Sequence, residues 1–501
     1  MASRIDTGLS TATKLPAEPS LTSRNQSTKS STPSTQSPTK APQKKHNHAS
    51  AIHKVAKVSP LSYDAPVVPS FFGFQNLMAL MLIVSNLRLM IENSRKYGFR
   101  ICLSCHEISR EDLVLGSILY FSVPFHLLVA YIIELVAAQQ AKSSLARLQT
   151  RPNGNGHVKS THEAQQKTFQ VTWYIIAFAH AVNATLNLAI STWCVYYHIF
   201  HPAIGAAVEL HATITWLKVC SYAFANRDLR HALLYPELDA GLPDLYASCP
   251  YPENITLGNL CYFWWAPTLV YQPVYPRTSR IRRTYVIKRA GELVGLSVVI
   301  WLVIVQYASP LLHNSMEHMH KMDMISIMER VLKLSTISLF CWLCGFYALF
   351  HSFLNLLAEV MRFADREFYS DWWNVSTVRE YWTSWNKPVY AFMKRHIYSP
   401  LVGRGVSPRM AQLLTFIFSG VLHELLIGIP THNIIGAAFA AMIGQVPFIL
   451  ITDPFGKSSS YAYRVTGNAM FWLFFCIFGQ PIAAMVYFFS WQKQYGQWKD
   501  K

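Results

Sequence analysis

A histidine and a glutamate stand side by side inside an apolar run, Thr415 to Thr431 (TFIFSGVLHELLIGIPT). Read as a helix, the run sets Gln412, Thr415, Ser419 and His423 three or four residues apart on one stripe, with leucine, isoleucine and phenylalanine over the rest. Ionisable groups at membrane depth are costly and face polar cavities. His423 is therefore the first candidate for a catalytic group, because a neutral imidazole in such a cavity can take a proton from an alcohol. Glu424 lies about 100° further round the helix, off the stripe, and reads as a supporting or structural partner.

Three amides join His423 in membrane-associated sequence: Asn374, Gln445 in GQVPF and Gln480 in GQPIA. Pro447 and Pro481 follow the two glutamines, interrupt the helix ladder and leave backbone groups in need of partners. Taken alone, each glutamine reads as an interhelical hydrogen-bond partner. No GxSxG elbow is present, and His423-Glu424 runs on into Leu425, Leu426 and Ile427, so there is no HExxH metal pair. Direct attack by an activated acceptor is favoured over an acyl-enzyme.

The other intramembrane histidines, His126, His180, His211 and His351, read as hydrogen-bonded packing residues, and His432 at a turn as exposed. Cys102-Leu-Ser-Cys105-His106 matches the CxxCH pattern of c-type haem attachment. In a short inter-helix loop without a soluble haem domain it reads as coincidence, with a local disulfide as the alternative.

The elements that must carry these groups follow from composition. Of 501 residues 51% are hydrophobic and 14% charged, and the apolar sequence comes in bilayer-length pieces, so the fold class is an all-α polytopic membrane protein. The net charge of +17 is spread between apolar segments and in the N-terminal tail, as cytosolic loops require, and excludes a nucleic-acid partner. Residues 1–65, rich in Ser, Thr, Pro, Lys and Gln, read as a disordered cytosolic tail; a membrane domain follows over 66–495, then a short C-terminal tail over 496–501.

Nine spanning helices are expected near 71–91, 112–137, 170–198, 203–223, 290–309, 326–350, 408–428, 432–452 and 466–490. A cytosolic N-terminus then puts the C-terminus across the membrane and leaves 139–169, 225–289, 351–407 and 453–465 as cytosolic loops. Arg95, Lys96, Arg100 and Arg110 fall on the wrong side of that scheme. In loop 225–289, NLCYFWWAPTLVYQ (Asn259 to Gln272) precedes Arg277, Arg280, Arg282, Arg283, Lys288 and Arg289. It reads as an interfacial segment whose cations are either solvated or a docking surface for phosphates. In loop 351–407, Trp382, Trp385, Val389, Phe392 and His396 recur at helical spacing opposite Glu380, Lys387 and Lys394, which predicts an amphipathic helix flat on the cytosolic surface.

FYSDWWN (Phe368 to Asn374), followed by HELL inside a spanning helix, resembles the membrane-bound O-acyltransferase family, over roughly residues 70–490. The blocks Leu80 to Gly98, Asn259 to Arg283, His423 to His432, Gly444 to Thr452 and Phe475 to Pro481 are similar to its branch that moves acyl groups from acyl-CoA to diacylglycerol. Sterol acyltransferases share APTL and DWWN; GIPTH and FGQP favour diacylglycerol. The resemblance implies nine helices around a central reaction chamber, with His423 as general base on the diacylglycerol hydroxyl. It implies that Asn374 supports the reaction centre and that Gln480 steadies the thioester oxyanion. Trp373 would shape the acyl-CoA site, Met442 and Gln445 would line the cavity near the acceptor, and Tyr369, Asp371 and Glu424 join them as substrate-binding positions. It further implies a homodimer in the endoplasmic reticulum membrane among membrane lipid, with no cofactor or metal. A transporter or proton channel using His423 and Glu424 is the rival class, but nothing in residues 70–250 echoes DWWN or HELL as inverted repeats would. A non-catalytic scaffold is the remaining alternative.

Overall fold

The computed structural model describes residues 51–62, 65–66, 69–94, 109–149, 158–235, 241–457 and 460–495. The CxxCH stretch, Arg95, Lys96, Arg100, residues 1–50 and residues 496–501 lie outside them.

Apolar runs become helices because only a helix satisfies its own backbone in lipid. In chain order these are α1 (Phe72–Ser94), α2 (Arg110–Ser122), α3 (Phe125–Gln149), α4 (Val158–His198) and α5 (Pro202–Leu234), then a short α6 (Leu257–Trp265). Next come α7 (Arg283–Val303), α8 (Ser309–His313), α9 (Met316–His320), α10 (Met324–Phe346) and α11 (Leu354–Val360). The segment that follows α11 holds α12 (Val378–Ser384), α13 (Lys387–Met393) and α14 (Ser399–Gly403). The chain ends in α15 (Pro408–Gly428), α16 (Ala437–Lys457), α17 (Tyr461–Phe474) and α18 (Gln480–Tyr495). Single π-helical segments join α7 to α8, α10 to α11, α13 to α14 and α17 to α18. The protein is thus an all-α, multi-pass membrane protein.

Helices stand at all nine expected positions. Among the described residues, six stretches have the length and apolar composition of a span: Arg110–Ala146, Val171–His198, Met324–Val360, Pro408–Gly428, Ala437–Lys457 and Tyr461–Gln494. Of the other three, α1 has a described apolar stretch over Phe72–Ser85, α5 carries Glu209, Lys218 and Arg230 in its interior, and α7 opens on Arg283, Lys288 and Arg289. The expected loop 139–169 is largely helical, since α3 and α4 run on into it.

Three further expectations are corrected. The predicted surface helix over Trp382 to His396 is broken: Asn386 caps α13 by accepting the Val389 N–H, with Pro388 in the first turn. Its face packs against the protein, with Phe392 and His396 buried and Trp382, Trp385 and Val389 half-buried; Tyr381 and Trp385 stack at 5.8 Å, and His396 meets the Ser221 hydroxyl at 2.8 Å. Residues 51–62, assigned to the tail, form a strap bonded to the domain. Its His53 ring contacts Asp365 and sits 3.0 Å from the Thr268 hydroxyl, while Lys57 N–H donates to Ala364 at 2.9 Å. His432 is buried rather than exposed, its Nε2 2.8 Å from the Ile199 carbonyl.

The interfacial segment is drawn inward by Lys218 of α5. Its buried ammonium donates to the Phe263, Trp264 and Ala266 carbonyls at 2.7, 2.8 and 2.9 Å, closing the C-terminal end of α6 where a cation is favoured. The chain then turns so that Leu269 and Val270 join Leu422 and Phe418 of α15 in one apolar cluster. The cations that follow divide. Arg282 and Arg366 pair with Glu359, and Arg289 with Glu292, whereas Arg280, Arg283 and Lys288 are exposed.

Candidate active site

Helices α15 and α16 lie against each other as an antiparallel hairpin, and their close approach needs Gly420. A methyl there would come within 2.9 Å of the Phe439 ring. The hairpin is fastened at one end by Arg379 of α12, whose guanidinium grips Asp453 at 2.9 and 2.7 Å and the Gln412 oxygen at 2.9 Å. Its other end is fastened by Glu424, which accepts the N–H groups of Gly436, Ala438 and Phe439 at 2.8, 3.1 and 3.2 Å and so caps α16.

Between those fastenings sits His423, half-buried. Its Nδ1 lies 2.8 Å from the Ser419 carbonyl oxygen and 3.4 Å from the Ser419 hydroxyl. A carbonyl can only accept, so Nδ1 carries the proton and donates, which leaves the lone pair of the neutral ring on Nε2. Among the described residues, nothing lies within hydrogen-bonding distance of that Nε2. The stripe predicted from spacing is therefore present between Ser419 and His423, whereas Gln412 is committed to Arg379 and Thr415 bonds back to Ala411 at 2.7 Å.

Gln480 opens α18 directly after the π-helical turn Phe475–Gly479, where Pro481 supplies no N–H to the ladder. Its Oε1 accepts from the Ser338 hydroxyl at 3.3 Å, and its Nε2 has no partner among the described residues. Met442 is buried on α16, and Gln445 one turn on holds the Ala441 carbonyl at 3.3 Å. His423 and Gln480 do not touch each other; they belong to helices that both lie against α16.

The FYSDWWN block does something else. Asn374 accepts the Gly73 N–H at 2.8 Å and donates to the Ser70 carbonyl and to Asp371. Trp373 donates to Ser70 at 2.9 Å and stacks on Phe71 and Phe74. The Trp373 carbonyl accepts from Asn468 at 3.0 Å and from the Trp472 indole at 3.3 Å, and Asn468 also holds the Val375 carbonyl and Asn76. Tyr369, fully buried, gives its hydroxyl to His351 at 2.6 Å. Asp371 is exposed at the head of the turn.

The expected substrate positions thus have partners within the protein: Asn374, Trp373 and Tyr369 fasten α1, α17 and the π-helical segment after α10 to the loop, and Glu424 caps α16. Sequence reasoning missed Lys218, Arg379, Asn468 and Tyr487. For Lys218 and Asn468 the available signal was a polar side chain inside an apolar run, the same signal that singled out His423.

His423 and Gln480 stand on helices of a multi-pass membrane frame that both pack on α16. The sequence comparisons give the class of protein: the model of the MBOAT, membrane-bound O-acyltransferase family, matches residues 241–489, relatives named as acyltransferases cover most of the chain at 34% to 36% identity, and the chain belongs to this family and is an acyltransferase. Diacylglycerol O-acyltransferase 1C of Glycine max is 35% identical over 449 residues, covering 89% of this chain and 80% of the relative. Diacylglycerol O-acyltransferase 1 of Corylus americana is 36% identical over 87% of this chain and 75% of its own length, and that of Arabidopsis thaliana 34% over 87% and 76%.

Proposed function

We propose that the protein transfers a fatty acyl group from acyl-CoA to the free hydroxyl of diacylglycerol, giving triacylglycerol and CoA. His423 Nε2 takes the hydroxyl proton as the oxygen attacks the thioester carbon. The C–S bond then breaks, and the proton passes from the imidazolium to the departing CoA thiolate. Gln480 Nε2 donates to the oxygen on which charge develops. Attack is direct, with no acyl-enzyme, and the transfer requires neither a metal nor a redox cofactor.

The observation that carries this reading is the Ser419 carbonyl beside His423 Nδ1, which presents the basic nitrogen outward in the protonation state a general base needs. The names of the relatives support diacylglycerol as acceptor. We place the enzyme in the endoplasmic reticulum membrane as a homodimer, with the N-terminus cytosolic and the C-terminus lumenal. In that arrangement the nucleotide of acyl-CoA approaches from water, and diacylglycerol from the lipid.

Purified protein given labelled oleoyl-CoA with either diacylglycerol or cholesterol tests the reading. Triacylglycerol is the expected product, and His423→Ala is expected to lose about 10²- to 10⁴-fold in rate while melting as wild type does. Equal activity in the variant would remove the base assignment. Sterol ester as the main product would replace the acceptor.

A further inference from the structure

We propose that Tyr487 is a positioning residue for acyl transfer, acting through Glu424 on the turn of α15 that carries His423. The proposal rests on His423 being the base. Tyr487 is buried, and its hydroxyl donates to Glu424 Oε2 at 2.8 Å while accepting the Ala438 N–H at 3.0 Å. Glu424 Oε2 also takes the Ala438 and Phe439 N–H groups, and Oε1 that of Gly436. A second set of contacts repeats the tie. Asn433 donates to the Tyr487 carbonyl at 3.0 Å and accepts from the Ser490 hydroxyl at 2.8 Å. Three helices therefore converge on one carboxylate: α15 supplies it, α16 is capped by it, and α18 reaches it through a single phenol.

What this clasp controls is the rotation of α15. Glu424 is the next residue after His423, so a turn of the helix that frees one swings the other. With side chains about 5–6 Å from the helix axis, a turn of about 10° carries the imidazole roughly 1 Å. Misplacement of a reacting group by about 1 Å can cost on the order of 10²-fold in rate. Tyr487 also stands seven residues after Gln480, two turns along nearly the same face of α18 and about 10 Å further on. The hydroxyl thus indexes the helix of the base against the helix of the amide donor, although it touches neither group.

Tyr487→Phe removes the hydroxyl and keeps the ring. Expected is a fall in kcat of about tenfold or more, with KM for acyl-CoA inside about twofold and a melting shift of only about 2 °C, as for one lost hydrogen bond. Glu424→Gln is expected to lose kcat likewise, and the double variant to lose little beyond the worse single one, because both break the same clasp. Wild-type kcat in Tyr487→Phe, or losses that multiply in the double variant, would overturn the proposal. The two readings fail separately: an active His423→Ala protein sinks the base, while an inactive one beside a fully active Tyr487→Phe protein sinks only the clasp.

Discussion

The FYSDWWN block and the His423 stripe both stand out in the sequence as polar residues set among apolar ones, and the molecule treats them in opposite ways. In the first, Asn374, Trp373 and Tyr369 spend their donors and acceptors on Ser70, Gly73 and His351, and Asn468 gathers the loop carbonyls from the far side. In the second, one nitrogen of His423 and one of Gln480 are left over after their neighbours are served. A polar cluster whose groups are mostly bonded to other helices holds backbone in place, even though, among the described residues, the Trp372 indole nitrogen and His351 Nε2 are left over there too; a basic nitrogen left over on a helix at membrane depth is available to a reactant. The difference teaches that a distinctive motif and a reactive group are separate things, and that what a leftover atom can do chemically matters more than that it is left over.

The comparison can be broken by substitution, since changes in the closed block should remove protein and changes in the open stripe should remove rate. Gly73→Ala should have the largest effect. The added methyl would lie 1.5 Å from the Trp373 carbonyl oxygen, so α1 cannot seat on the loop, and little monodisperse protein is expected on size-exclusion chromatography. Gln480→Ala should yield well-folded protein with kcat lowered about 10²- to 10³-fold, the usual cost of one oxyanion donor, measured under saturating acyl-CoA. A variant that instead fails to fold would move Gln480 into the closed class.

The smallest effect concerns the strap. Burial pushes the Glu367 carboxyl up, but Lys387 and Lys57 outweigh it and hold the group below its ordinary value. A depressed carboxylate stabilises the fold above its unfolded pKa and loses that contribution as pH falls through the folded one. Melting temperature should therefore drop slightly between pH 6 and the acid range in wild type, and less in Glu367→Gln, by an amount on the order of that of a partly exposed ion pair.

Much of the frame was legible in the sequence, because bilayer-length apolar runs have one backbone solution, and helix positions followed from them. The Ser419–His423 stripe was legible from spacing, and so was the off-stripe position of Glu424. The break at Asn386 could have been read from an asparagine two residues before Pro388; the alternation of tryptophans masked it. The partners of Tyr487, Asn468 and Lys218 could not be read. They are separated in sequence by 63, 95 and 45 residues, and no local rule links side chains across such distances. The partners of the FYSDWWN side chains were hidden for the same reason: Asn374 and Trp373 bond to Gly73 and Ser70, 301 and 303 residues away.

The strap has a consequence for how the molecule is made. His53 leaves the ribosome long before its partner Asp365, 312 residues later, which at ordinary synthesis rates is a wait of about 15 to 60 s. Its partners arrive in two instalments: Thr268 and Gln272 follow His53 by 215 and 219 residues, Asp365 only by 312. Full closure of the strap is accordingly a late step in biogenesis, and a chain stalled before residue 365 would hold its leading segment by the earlier contacts alone.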